Sequence, residues 1–441
     1  MSETAVKMED VSPIKKKLSF EIPWDEVKIE LDSVYREVGK KAKIKGFRPG
    51  KIPRQVLEKY FKEHVEEETV SNIINKYYWQ GLGERKMTPL SQPDVTQEGI
   101  KENTPFSFSI SFEIEPQFEP QGYKGMELER ENIKITDDDL TARLNQIKQM
   151  FATMEEVQAD RAVVTGDFVT IDFEGSVDGE SLKEMKADNY LLEVGSKRFI
   201  PGFEEQLVGM KKAATGEIKV TFPEDYQEKK FAGKEAVFKV EIKNIKEKKL
   251  PEIDENFIKN FDKYSSLDDL KNDVRKSLEE EGVKLTEGKL QNNIMEKLLT
   301  INDFEAPSSL VEKQIYYMMA DTRKRMTQAG MDEKNATEFS FQMHDKYKEE
   351  AVKIVRSFLM LKKISEKESF AIADEDIESH IRDLAAKHGR DYDLLKKAYE
   401  KEDKRENLRS DLLQKKVFDF IEQNANIKDI EKIGMGVEVE K

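Results

Sequence analysis

The 441-residue sequence contains no cysteine. That absence removes disulfides, thiolate nucleophiles and thiolate metal sites together, and it suits a reducing compartment. Histidine is nearly as scarce, with only His64, His344, His380 and His388 scattered along the chain. His380 and His388 stand eight apart on a predicted helix and read as ordinary helix surface, so no metal site is expected. No stretch approaches ~20 apolar residues, so no membrane-spanning helix is expected. The first ten residues, MSETAVKMED, lack a basic region followed by an apolar run. No signal peptide is therefore expected, and the expected location is the cytoplasm. No Walker motif, glycine-rich nucleotide fingerprint or metal-spaced ligand set occurs, and no cofactor is expected.

What the chain does have is charge. Charged residues make up 37% of it, the hydrophobic class another 37%, and the formal net charge is -15. A global negative field repels phosphate backbones and argues against nonspecific nucleic-acid binding by the whole protein, although a local basic patch escapes that argument. The length exceeds one ordinary core and implies two to four domains, elongated and helix-rich.

In the first segment Leu18, Phe20 and Ile22 alternate with polar neighbours, predicting a strand over 15–22 that Pro23 ends. Val27, Leu31, Val34 and Val38 recur at three and four, predicting an amphipathic helix over 24–41. A second helix is predicted over 54–80, and returning strands over 86–89 and 105–115. Between the helices lies IKGFRPGKIP, Ile44 to Pro53, whose glycines and prolines exclude a continuous helix. Lys40, Lys41, Lys43, Lys45, Arg48, Lys51 and Arg54 fall in and around it, in a window that contains no acidic residue. Phe47 has two readings on spacing alone: a plug for the domain core, or an exposed anchor beside a bidentate Arg48.

The run Gly46-Phe47-Arg48-Pro49-Gly50-Lys51-Ile52-Pro53 resembles the ribosome-docking signature of bacterial trigger factor. The resemblance implies that Phe47 and Arg48 contact a ribosomal protein and ribosomal RNA near the polypeptide exit. Many members carry a lysine directly after the arginine. Here Pro49 stands there, leaving Lys51 or Lys45 as the substitute.

Near residue 160 the pattern becomes strand-like. Val169, Ile171 and Phe173 alternate with polar residues, further strands are predicted over 189–193, 215–221 and 235–245, and EEQLVGM after Phe203 reads as a short helix. The segment has no histidine, no cysteine and no evident acid–base carboxylate pair. Prolyl isomerisation needs none, because its barrier is the partial double bond of the X-Pro amide and no covalent bond is made. A dry apolar pocket with one placed polar group can suffice. The ordered run Gly166-Asp167, Asp172-Phe173-Glu174-Gly175, Asp178-Gly179, Ile200-Pro201-Gly202-Phe203-Glu204, Gly209-Met210 and Thr221-Phe222-Pro223 is similar to FK506-binding-protein isomerases, in the version found within trigger factor. Carried across, Phe173, Phe199, Ile200, Phe203, Tyr226 and Phe238 would line the proline pocket, with the Ile200 backbone N–H holding a substrate carbonyl. The acidic stretch 178–185 departs from the free-standing class, which places an aspartate after an aromatic there, and so leaves the polar pocket group unassigned.

The flanks read as one helical body split in sequence. Thr136 with Asp139 predicts a capped helix over 136–154, and long helices are predicted over 266–301, 307–329, 332–367, 374–388, 392–399 and 401–424. Methionine and aromatics gather in this half, and a minority of them would face unfolded chains. Met318, Met319, Met326, Phe339, Phe341 and Met360 are the candidates for client binding. The expected fold is multidomain α+β. It comprises an N-terminal α+β ribosome-binding domain (1–115), a linker and helix packing with the C-terminal body (116–159), an FKBP-like antiparallel sheet with a short helix (160–247), and an elongated all-α C-terminal body with arms (248–441). The expected function is an ATP-independent chaperone at the ribosome exit that holds nascent and unfolded polypeptide and isomerises X-Pro bonds, without membrane contact. Two alternatives stay open: a freestanding isomerase with dimerisation arms, and an interaction protein whose isomerase fold is inactive. Whether the free protein forms a homodimer is also left open.

Overall fold

The computed structural model describes residues 5–435 except 49, 159, 178, 179, 225 and 227, and the side chains of 5, 180–184 and 402 also stand outside that description. The chain forms two compact units, Met1–Glu129 with Lys289–Lys428, and Arg130–Gly288 with Asp429–Lys441.

The chain opens with β1 (Ala5–Asp10) and β2 (Lys15–Ile22), followed by the helices α1 (Trp24–Lys41) and α2 (Arg54–Arg85). Two more strands, β3 (Asp94–Gln97) and β4 (Phe106–Glu113), complete an antiparallel sheet of order β1-β2-β4-β3. The alternation read at Leu18, Phe20 and Ile22 turns those side chains, with Phe106, Phe108, Ile110 and Phe112, into one core against α2. The strand expected over 86–89 does not form. α2 continues to Arg85, and Lys86 ends it in the left-handed conformation while the Met87 N–H returns to the Leu82 carbonyl. The strand lies instead at β3.

Next come β5 (Glu127–Lys134) and α3 (Asp137–Met150). Thr136 and Asp139 form a capping box, the Thr136 hydroxyl accepting from the Asp139 N–H and the Asp139 carboxylate accepting from the Thr136 N–H. α3 is shorter than the expected 136–154. Thr153–Glu156 is a strand, β6, that pairs with the end of the second antiparallel sheet. That sheet is built from β6, β7 (Phe168–Val177), β8 (Glu180–Glu193), the short helix α4 (Phe203–Leu207), β9 (Thr215–Thr221) and β10 (Glu235–Lys249). β10 is its spine, with β7 along one side and β9 and β6 in succession along the other, all antiparallel. Val169, Ile171, Phe173, Phe238, Val240 and Ile242 point to the face that α4 covers with Phe203 and Leu207. At the root of the sheet Arg161 donates to both oxygens of the buried Asp167, at 2.6 and 2.9 Å, and to Glu247 at 3.1 Å. Burial pushes the Asp167 carboxyl up, but Arg161 and the Val164 N–H outweigh it and hold it below the usual carboxylate range.

The remainder is helical: α5 (Glu255–Ile258), α6 (Leu267–Ile301), α7 (Ser308–Gln328), α8 (Glu333–Gln342), α9 (Lys348–Lys367), α10 (Asp374–His388), α11 (Tyr392–Tyr399) and α12 (Glu402–Gln423), closed by the strand β11 (Asn426–Ile433) beside β5. The single helix expected over 332–367 is divided into α8 and α9 by a 3-10 turn at Asp345–Tyr347. Leu140 and Leu144 of α3 pack with Phe257, Leu270, Val274 and Leu278. Tyr123, Met126 and Leu128 pack with Leu290, Ile294, Met360 and Val417.

Candidate functional site

Two glycines shape the loop between α1 and α2. Gly46 and Gly50 have φ of +95° and +80°, and no atom lies within 4 Å of where a Cβ would stand on either, so it is the left-handed backbone that calls for glycine. The loop is tied to itself by Phe47 N–H to the Ile44 carbonyl (3.1 Å) and Lys51 N–H to the Arg48 carbonyl (3.0 Å), and to α1 by Gly50 N–H to the Gly39 carbonyl (2.9 Å). Phe47 is 39% exposed and belongs to no core cluster among the described residues, so it does not plug the domain. Lys45, Arg48 and Lys51 are exposed, and among the described residues none of them forms a salt bridge. Arg54 differs from the other basic side chains. It pairs with Asp32 (3.1 Å) and Glu58 (2.7 Å) and stacks on Tyr35. Pro49, the residue in place of a third contact lysine, lies outside the described residues.

In the sheet built on β10 five of the six expected pocket residues converge. Phe173 and Phe238 come from neighbouring strands and Phe203 from α4, while Phe199 and Ile200 come from the loop before α4 and are half-buried against that core. Ring centroids stand 4.2 Å apart for Phe199 and Phe203, 5.3 Å for Phe203 and Phe238, and 5.6 Å for Phe173 and Phe199. Most of these pairs meet edge to face, the favoured arrangement of aromatic quadrupoles. Among the described residues no protein acceptor takes the Ile200 N–H, while the Ile200 carbonyl accepts from Phe203. Tyr226 does not join the cluster. It is 38% exposed and packs on Phe222, centroids 4.7 Å apart. Tyr190 takes part instead, 5.7 Å from Phe173 and 5.9 Å from Phe199. A signal for it existed, since Tyr190 precedes the buried Leu192 by two in a strand and so shares its face. The stretch 178–184 lies outside the described side chains.

Glu204, the residue after Phe203, is 2% exposed and accepts hydrogen bonds from the backbone of the 195–199 loop. Burial pushes its carboxyl up, but N–H groups of Phe199, Lys197 and Gly195 and the Ser196 hydroxyl outweigh that and hold it below the usual range.

The client candidates divide by burial. Met319 and Met360 are core side chains, Met319 packed with Val311, Ile315 and Val355, and Met360 fully buried with Ile294 and Ile364, so neither offers a surface to a client here. Met318 and Met326 are half-buried, while Phe339 and Phe341 on α8 are exposed, Phe341 at 61%. A groove of about 810 Å³ opens among α6, α7, α9 and α12, with Tyr317, Ile354, Phe358, Leu361 and Phe418 in its walls. None of the six candidates lines it. Phe358 and Leu361 continue into an adjoining recess floored by Leu413 and Val417.

Among the described residues no cluster of metal-ligating side chains occurs, and no helix is long and apolar enough to cross a membrane.

Comparison with known proteins agrees with this layout. Residues 4–147 match the family described as bacterial trigger factor protein, residues 266–423 its C-terminus, and residues 159–243 the FKBP-type peptidyl-prolyl cis-trans isomerases. The trigger factor of Syntrophus aciditrophicus is 53% identical over 429 residues, covering 97% of both chains. That of Geotalea uraniireducens is 35% identical over 430 residues, covering 97% of this chain and 99% of its own. A solved structure of the trigger factor chaperone covers 95% of this chain and 99% of its own at 20% identity, with a TM-score of 0.46. The chain belongs to the bacterial trigger factor family, and is a ribosome-associated chaperone with FKBP-type peptidyl-prolyl cis-trans isomerase activity.

Proposed function

We propose that three sets of residues divide this work. Phe47 inserts as an apolar anchor at the ribosome, with Arg48, Lys45 and Lys51 meeting phosphate or acidic side chains around it. Phe173, Phe199, Ile200, Phe203 and Phe238 form the wall that accepts a twisted X-Pro amide, and the Ile200 N–H receives a substrate carbonyl. Nascent chains lie along the groove walled by Tyr317, Ile354, Phe358 and Phe418 and against Phe339 and Phe341, with Met318 and Met326 adapting to varied side chains. In sequence the docking function occupies 1–115, the isomerase 160–247 widened by its outer strand to 153–249, and holding 248–441 with the preceding linker.

The observation that carries the docking assignment is an exposed phenylalanine on a hydrogen-bonded tip, flanked by cations without an intramolecular salt bridge among the described residues. An apolar ring held in water and pre-formed in shape loses little freedom when it binds. The test is co-sedimentation with purified ribosomes of the wild type and of Phe47→Ala/Arg48→Ala/Lys51→Ala, at several salt concentrations. The expected result is salt-sensitive binding by the wild type and a loss of at least about 30-fold in affinity in the variant, the size of a hot-spot cluster. Equal sedimentation would refute the docking assignment and favour a freestanding isomerase.

A further inference from the structure

Glu204 is a buried carboxylate that forms no salt bridge among the described residues. Its Oε2 accepts from the N–H groups of Gly195 (2.8 Å) and Lys197 (2.9 Å). Its Oε1 accepts from Arg198 and Phe199 (both 3.0 Å), and the Ser196 hydroxyl lies at 3.2 Å. Four backbone dipoles and a hydroxyl thus converge on one charge, the kind of oriented concavity that binds anions, here filled by the protein's own side chain. These donors all belong to the five residues before Ile200. The acceptor stands on the first turn of α4, next to Phe203, whose ring faces Phe199 at 4.2 Å.

We propose that Glu204 is a positioning residue for prolyl isomerisation: it locks the 195–199 loop onto α4, and thereby fixes the Phe199 ring and aims the Ile200 N–H at the substrate. The inference rests on the aromatic cluster being the proline pocket. The reaction needs a donor and an apolar wall already in place when the amide twists, because a loop that must order itself at that moment spends binding energy on its own entropy. Glutamate suits the task by length and by charge. Each oxygen serves two N–H groups, so the isosteric Glu204→Gln turns an NH₂ toward two donors and leaves them without an acceptor. Glu204→Asp keeps the charge but falls short by one methylene.

The experiment uses the full-length protein, with the exposed neighbour Glu205→Gln as control. Isomerase kcat and KM are measured on an X-Pro tetrapeptide, together with the amide spectrum of residues 195–200 and the thermal midpoint. Glu204→Gln is expected to lower kcat/KM at least about tenfold, mostly in kcat, with the amide signals of Gly195, Lys197, Arg198 and Phe199 moving toward weaker hydrogen bonding. Ribosome co-sedimentation is expected to match the wild type, as is Glu205→Gln in every assay. Unchanged kcat/KM in a folded Glu204→Gln would overturn the proposal. So would a loss of activity equal to the fraction of unfolded domain. If the domain does not fold in that variant, Ser196→Ala, which removes a single donor, decides: a two- to fivefold loss in kcat at unchanged KM supports the proposal, and unchanged kcat overturns it. Absence of any acceleration by the wild type would overturn the pocket assignment itself, a result distinguishable from the others.

Discussion

The guanidinium carbon of Arg54 lies 3.4 Å from the centre of the Tyr35 ring, so the first residue of α2 is stacked on α1 at the root of the docking loop. Asp32 and Glu58 pair with the same guanidinium. Arg54 is therefore engaged within the domain while Lys45, Arg48 and Lys51 face solvent. Partial exposure limits each ion pair to under about 1 kcal/mol, and the stack adds about 0.5–1 kcal/mol. Arg54→Ala is expected to lower stability by roughly 1–2 kcal/mol and ribosome affinity by a few-fold, through a looser loop. Arg54→Lys is expected to recover little, since an ammonium lacks the planar face. Denaturant unfolding and ribosome titration check both; full ribosome affinity in Arg54→Ala would show that the stack does not hold the loop.

The loop's glycines predict a second effect. With open space around both Cβ positions, Gly46→Ala and Gly50→Ala meet no clash, and the cost is that of a left-handed backbone alone, about 1–2 kcal/mol each. Docking affinity is expected to fall by about tenfold in each as the tip changes shape. Wild-type affinity in both would mean that the tip conformation is not needed for docking.

Tyr226 and Phe199 separate two readings of the isomerase site. Tyr226→Ala is expected to leave kcat/KM for an X-Pro peptide within about twofold, because its ring stands with Phe222 and away from the cluster. Phe199→Ala removes a ring 4.2 Å from Phe203 and is expected to cost 10- to 100-fold, about 1.4–2.7 kcal/mol. The reverse order would place the pocket on the Tyr226 side.

Glu113 predicts an acid sensitivity. Pro307, before α7, offers no side-chain cap, and the Glu113 carboxylate at the end of β4 takes over, accepting from the Ser308 hydroxyl (2.6 Å), the Ser309 hydroxyl (2.6 Å) and the Ser309 N–H (2.9 Å). Burial pushes the carboxyl up, but the hydroxyls and N–H groups of Ser308 and Ser309 outweigh it, and the group is held below its ordinary value. A depressed folded pKa contributes stability that is present above the unfolded glutamate value, near 4.3, and is lost as pH falls through the folded value. Glu113→Gln is expected to cost about 1–2 kcal/mol at pH 7 and much less near pH 3. Thermal midpoints at the two pH values give the comparison, and an equal cost at both would remove the carboxylate's charge from the explanation.

The sequence made the elements with a buried face legible. Leu18, Phe20 and Ile22 alternate because one side of β2 is core, and Leu140 and Leu144 recur because α3 has one apolar stripe. β1 and β6 were missed for the same reason in reverse: they are edge strands, all four residues of β6 are exposed, and their pairing comes from the neighbouring strand. The docking tip could be located from its glycines and cations, but not whether Phe47 faced in or out, which depends on how Leu57 and Val65 already fill the space between the helices. Arg54 looked like one more cation because Asp32 and Tyr35, which engage it, lie about twenty residues away. In the isomerase, family resemblance named four aromatic rings that the structure gathers in one cluster. It passed over Tyr190, which the strand alternation with Leu192 signals, and named Tyr226, whose ring packs on Phe222 after a turn that local pattern does not encode.

The division of labour is tested most directly by aggregation of an unfolded client in the presence of a variant lacking 153–249. Lys249 and Thr153 are paired neighbours, so a short glycine–serine linker can join the cut ends. We expect this variant to suppress aggregation at least half as well per mole as the full chain while losing all acceleration of proline-limited refolding. Loss of all suppression would contradict the assignment of client holding to the helical body and place it in the isomerase.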